Sequence, residues 1–130
     1  VAKLPGMTVS VTHLYAGVPV TDRAAALKWF EVFFGRPADE VIDSEALWQI
    51  NESAWIFIDE DPDRAGHALL TLGVEGLDGI LARLAAFGVE HEPVETYGNG
   101  VRHVVVLDPD SNRLSLAEAP PADPLASGRE

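Results

Sequence analysis

Val104-Val105-Val106-Leu107-Asp108-Pro109-Asp110-Ser111-Asn112-Arg113-Leu114-Ser115-Leu116 joins a β-branched run to an alternating run through a turn of Asp, Pro and Asn. This predicts a β-hairpin: branched side chains favour extended backbone, Pro109 presets φ, and the Asp carboxylates accept turn N–H groups. Asn112 is the residue expected to take a left-handed conformation. The second arm then starts at Arg113 in fixed register, with Leu114 and Leu116 on one face and Arg113, Ser115 and Ala117 on the other.

Working outward, the chain repeats one grammar twice. Val9 to Val20 alternates as a strand, with His13 and Tyr15 on one side and Leu14, Ala16 and Val18 on the other. Thr21 or Asp22 is a candidate N-cap, and Leu27, Phe30 and Phe34 give a helical stripe that Gly35 and Pro37 end. Short strands are expected near 39–43, 46–50 and 54–59, with Asn51-Glu52-Ser53 as a turn. The second copy runs from a strand at His67–Val74 through a helix on Leu77, Ile80, Leu81, Leu84 and Phe87, closed by Gly88. Strands near 90–96, 101–107 and 113–118 follow, with Tyr97-Gly98-Asn99-Gly100 as a turn. An offset of 54 residues pairs His13 with His67, Val20 with Val74 and Leu27 with Leu81. Each half reads β-α-β-β-β, which predicts an α+β fold of two βαβββ modules in one domain, with a curved mixed sheet and the helices on its convex side. The boundaries are an N-terminal extension at 1–8, modules at 9–64 and 65–118, and a loose tail at 119–130. Met7 is a candidate natural start.

Composition narrows the chemistry. There is no cysteine, which excludes disulfides, thiol nucleophiles and thiolate metal sites. Nine basic residues against 21 acidic ones give a formal charge of −12, which repels nucleic acid and anionic membranes and suits solubility or a cationic ligand. No apolar run approaches the roughly 18 residues that span a bilayer, and no secretory signal pattern opens the sequence; a cytoplasmic protein is the expectation. Ser115 lacks a Gly-x-Ser-x-Gly setting, no Gly-rich loop leads to a Lys, and the acidic loop at 59–63 lacks calcium-loop spacing.

The hairpin Asp-Pro-Asp-Ser-Asn-Arg-Leu-Ser-Leu, together with the duplicated halves, resembles the vicinal oxygen chelate superfamily, which includes glyoxalase I, extradiol dioxygenases and bleomycin-resistance proteins. The resemblance spans about residues 9–118. It implies metal ligands at the first and last strand of each module, and the matching positions here are Tyr15, Ile56, Leu69 and Ser115; a one-residue slip would replace Ile56 by Trp55 or Phe57. None offers an imidazole or carboxylate, whereas a divalent ion needs about three such donors. No metal or other cofactor is therefore expected. His13 and His67 lie two residues before the matched positions and would anchor a shifted site. The resemblance to the bleomycin-resistance branch implies a homodimer that sequesters a bulky cationic molecule.

Tyr15, Trp48, Trp55, Phe57 and Tyr97 are candidates to stack on such a ligand, with His13, Ile56, His67, Leu69, His103 and Ser115 around it. Strand parity sets Trp55 against the helices if Ile56 faces the ligand. The expected function is metal-free binding of a small cationic or aromatic molecule in a concave pocket. The alternative is a metal-dependent lyase, isomerase or dioxygenase using His13 and His67, and a third reading is an assembly module without catalysis.

Overall fold

The computed structural model describes residues 9–121; the N-terminal extension at 1–8 and most of the tail, 122–130, lie outside the described residues. Ten elements follow in order: β1 (Leu14–Val20), α1 (Arg23–Phe34), β2 (Glu40–Ile42), β3 (Glu45–Asn51), β4 (Ala54–Glu60), β5 (Leu69–Gly73), α2 (Leu77–Ala86), β6 (Glu95–Thr96), β7 (Arg102–Leu107) and β8 (Arg113–Glu118). They form two four-stranded mixed sheets, ordered β1-β4-β3-β2 and β5-β8-β7-β6. In each, the first strand runs parallel to the last and the others are antiparallel. The fold is α+β, with two βαβββ modules. By contacts, the first unit ends at Ala68 and also takes in the turn Pro109–Asn112, while the second holds Leu69–Asp108 and the described residues from Arg113 on.

In the first unit, Asp22 caps α1 by accepting the Ala25 N–H, and Gly35 ends it at φ 79°, its N–H donating to Glu31 O. Left-handed backbone is cheap only without a Cβ, which is why glycine sits there. One face of the sheet carries Val18, Val20, Ala46, Trp48, Ile56 and Ile58, all buried, and α1 supplies Ala26, Phe30 and Phe33. The Trp48 ring lies 5.1 Å from Phe34 and 6.1 Å from Phe30, and its Nε1–H donates to Arg36 O at 3.0 Å. Beside it, the Arg36 guanidinium holds Asp39 at 2.7 Å, and Asp39 also accepts the Gln49 N–H. Those two donors, Arg36 first, keep the Asp39 carboxyl below its ordinary value. In the second unit, Leu114, Leu116, Val104 and Val106 face α2, which contributes Leu77, Leu81 and Leu84.

Both helices borrow a cap from the last strand of their own module. Glu60 accepts the Arg23 N–H at 3.0 Å, and Glu118 accepts the Leu77 N–H at 2.7 Å. The second is needed more, because the α2 N-cap, Gly76, has no side chain to offer. Arg102 bridges Glu118 and Asp78 at 2.8 and 2.9 Å. The Leu77 N–H, then Arg102, hold the Glu118 carboxyl below its ordinary value, and the two carboxylates raise the Arg102 guanidinium.

The sequence expectations change at the strand starts and at the closing turn. The strand foreseen from Val9 begins at Leu14, because its parallel partner β4 begins opposite, at Ala54. Likewise β5 begins at Leu69, opposite the first residue of β8. In the closing hairpin the left-handed residue is Ser111, at φ 72°, rather than Asn112. Asn112 is fully buried and spends its amide on backbone: Nδ2 donates to Pro19 O, and Oδ1 accepts from Gly66 and Ala68. Asp110 meanwhile accepts from the Thr21 N–H and hydroxyl.

Candidate functional site

Each sheet turns one face to its helix; the strand registers assign residues to this face and to the opposite, open one, whose centre in the second unit, Val105 and Ser115, is nonetheless buried. On the open face of the first unit, Tyr15 pairs with Trp55 and Gly17 with Phe57, and Gln49 and Leu47 follow on β3. The Tyr15 and Trp55 rings stack, with centroids 6.3 Å apart and planes 15° off parallel. His13 approaches Tyr15 at 6.4 Å. Phe57 lies over Gly17 so closely that a Cβ there would meet its ring at 2.6 Å. A glycine opposite a large aromatic gives that ring its place on the sheet. Glu40, Glu45 and Asp59 continue the same face toward the edge strand, and Asp59 accepts from the Ser44 hydroxyl.

Ile56 and Trp48 are not on this face. Both are buried against α1, where they are cross-strand partners. The expected match of Ile56 with Ser115 is one residue out: Gly17 and Thr71 are 54 residues apart, and their parallel partners are Phe57 and Ser115. The counterpart of Ser115 in the first module is therefore Phe57. The same parity sets Trp55 on the open face instead of against the helix. The two hairpins close differently: Asn51 pairs with Ala54 across two residues and Leu107 with Arg113 across five, so β4 opens on a helix-facing residue and β8 on an open-face one. His67 is exposed and precedes β5, its N–H donating to Arg64 O.

On the open face of the second unit, Thr71, Ser115 and Val105 form one row and Gly73, Ala117 and His103 the next. Ser115 is buried, 1% exposed, whereas Leu69 is 69% exposed. Tyr97 stacks on His103 with centroids 5.5 Å apart, and Glu95 is the cross-strand partner of His103. Tyr15, Trp55 and Phe57 thus share one face in the first unit, and Leu69, Ser115, Tyr97 and His103 share one in the second.

A solved glyoxalase/bleomycin resistance protein from Catenulispora acidiphila DSM 44928 is 43% identical to the chain, covering 83% of it and 98% of that protein, with a TM-score of 0.78. The chain belongs to the glyoxalase/bleomycin resistance protein family. That family sits in the vicinal oxygen chelate superfamily. Two more distant structures share its fold: a lactoylglutathione lyase from Agrobacterium tumefaciens (15% identity, 89% of this chain and 96% of that one, TM-score 0.66) and a bleomycin resistance determinant encoded on the transposon Tn5 (16%, 81% and 95%, 0.69). No family model matches the sequence, and no curated protein matches it.

The metal implied by the superfamily does not fit the residues at the matched positions of this glyoxalase/bleomycin resistance family member. Tyr15, Phe57, Leu69 and Ser115 supply a phenol, a benzyl group, an isobutyl group and a hydroxymethyl group, and neutral hydroxyls are weak ligands for a divalent ion. Among the described residues, no group of three or more His, Cys, Asp or Glu is placed to hold a metal.

Proposed function

We propose that the protein binds a small planar organic cation, without a metal, on the open face of its first unit. The observation that carries this reading is the Tyr15–Trp55 stack with Phe57 beside it, on a face that also bears Glu40, Glu45 and Asp59. Aromatic faces attract cations through their quadrupole, and nearby carboxylates add Coulomb attraction. The net charge of −12 draws such a ligand from a distance. Family membership supports a ligand-holding role at the level of the fold. The same reading has the protein acting in the cytoplasm as a homodimer, with neither nucleic acid nor membrane as partner; sedimentation analysis tests the dimer. No helix among the described residues is long and apolar enough to cross a membrane.

The test is a tryptophan-fluorescence titration with a cationic aromatic dye and a neutral dye of the same shape. The cation is expected to quench saturably, with an affinity that falls as salt rises, and Trp55→Leu removes the response. Equal binding of the neutral dye, indifferent to salt, would overturn the cationic part. A tightly bound divalent ion at one per chain, measured on untagged protein, would overturn the metal-free part and revive a shifted site with His13 and His67.

A further inference from the structure

The open face of the second unit carries chemistry opposite to that of the first. Its ladders set out nine residues in three columns: Leu69, Thr71 and Gly73 on β5; Arg113, Ser115 and Ala117 on β8; Leu107, Val105 and His103 on β7. At one end, Arg113 stands between Leu69 and Leu107, which are 69% and 42% exposed. Arg36, Arg64 and Arg102 each hold a carboxylate; among the described residues, Arg113 is in no ion pair.

The three side chains combine two demands. Leu69 and Leu107 present apolar area whose removal from water is favourable, and a guanidinium offers paired N–H donors that match a carboxylate. Thr71, exposed and next along β5 on the same face, adds a hydroxyl beside the guanidinium. We propose that this end of the second sheet is a subsite for a small apolar carboxylate, with its oxyanion on Arg113 and its body across Leu69 and Leu107. The site lies in a different unit from the cation face and does not rest on it.

Benzoate is the probe, followed by two-dimensional NMR on the full chain, with benzamide as the uncharged comparison. Saturable shifts at Leu69, Leu107 and Arg113 are expected, weakened about tenfold by Arg113→Gln, as loss of a charged hydrogen-bond donor implies. Arg113→Lys retains part of the affinity, since the charge stays and the fork is lost. Benzamide fails to compete. Trp55→Leu leaves benzoate binding unchanged, which separates failure here from failure of the cation reading. Urea midpoints check that each variant is folded. Equal benzoate affinity in the parent and Arg113→Gln, no saturable shift, or shifts confined to the first unit would overturn the proposal.

Discussion

The side-chain amide of Asn112 donates to the carbonyl of Pro19 at 2.8 Å, across 93 residues of sequence. The same side chain accepts the N–H groups of Gly66 and Ala68 at 3.0 and 2.9 Å, so one buried amide satisfies three backbone groups. Burial makes each bond costly to lose, because nothing replaces it. Asn112→Ala is expected to lower stability by about 3 kcal/mol, read from urea unfolding. Asn112→Asp keeps both acceptor bonds and loses the donor, setting a carboxylate against the Pro19 oxygen, so it too destabilises at neutral pH. Parent-like stability in both variants would show that the amide is dispensable.

Acid titration reports on the borrowed helix caps. The Leu77 N–H and Arg102 stabilise the charged form of Glu118, and Arg36 and the Gln49 N–H do the same for Asp39. A lowered folded-state value means that both contributions are fully present above the ordinary carboxylate range, near pH 4, and fade as pH falls through the folded values. The urea midpoint should therefore drop on acidification below about pH 4.5. Glu118→Gln is expected to lower the midpoint at pH 7 and to shallow the acid limb. A variant whose acid limb matches the parent would remove Glu118 from this account.

Two glycines answer differently to one added methyl. At Gly66, φ is +90° and a Cβ would meet the Asp110 carbonyl oxygen at 2.6 Å, so both backbone strain and a rigid obstacle oppose it. Gly66→Ala should cost about 2–3 kcal/mol. Gly17→Ala meets the tip of the Phe57 ring, which swings aside. Its stability loss should be about 1 kcal/mol, while binding of the cationic dye weakens because Phe57 leaves its place. Calorimetry and dye titration on the two variants check the contrast.

Trp48 and Trp55 separate stability from binding. Trp48 is fully buried with its indole N–H bonded to Arg36 O, so Trp48→Ala should cost about 3–5 kcal/mol. Trp55 lies half-buried on the open face, and Trp55→Leu should alter stability far less while abolishing dye quenching. The reverse pattern would exchange the roles assigned to the two rings.

The duplicated module, both helices and the closing hairpin were written in local pattern: the 54-residue offset, the helical stripes ending at Gly35 and Gly88, and the Asp-Pro-Asp turn. Periodicity is a property of neighbours, so one sequence displays it. Tyr15, Leu69 and Ser115 also fell on the open faces by counting along strands whose parity is fixed by the adjoining helix or turn. Ile56 lacks that anchor, since the loops before β4 and β8 differ in length, two residues against five, and aligning their ends does not carry parity across. Glu60 and Glu118 as helix caps, Asn112 as the partner of Pro19, and the setting of Arg113 between Leu69 and Leu107 were decided only by the tertiary structure. Those relations join residues distant in sequence, and what brings them together is parallel strand pairing and burial, neither of which has a local period.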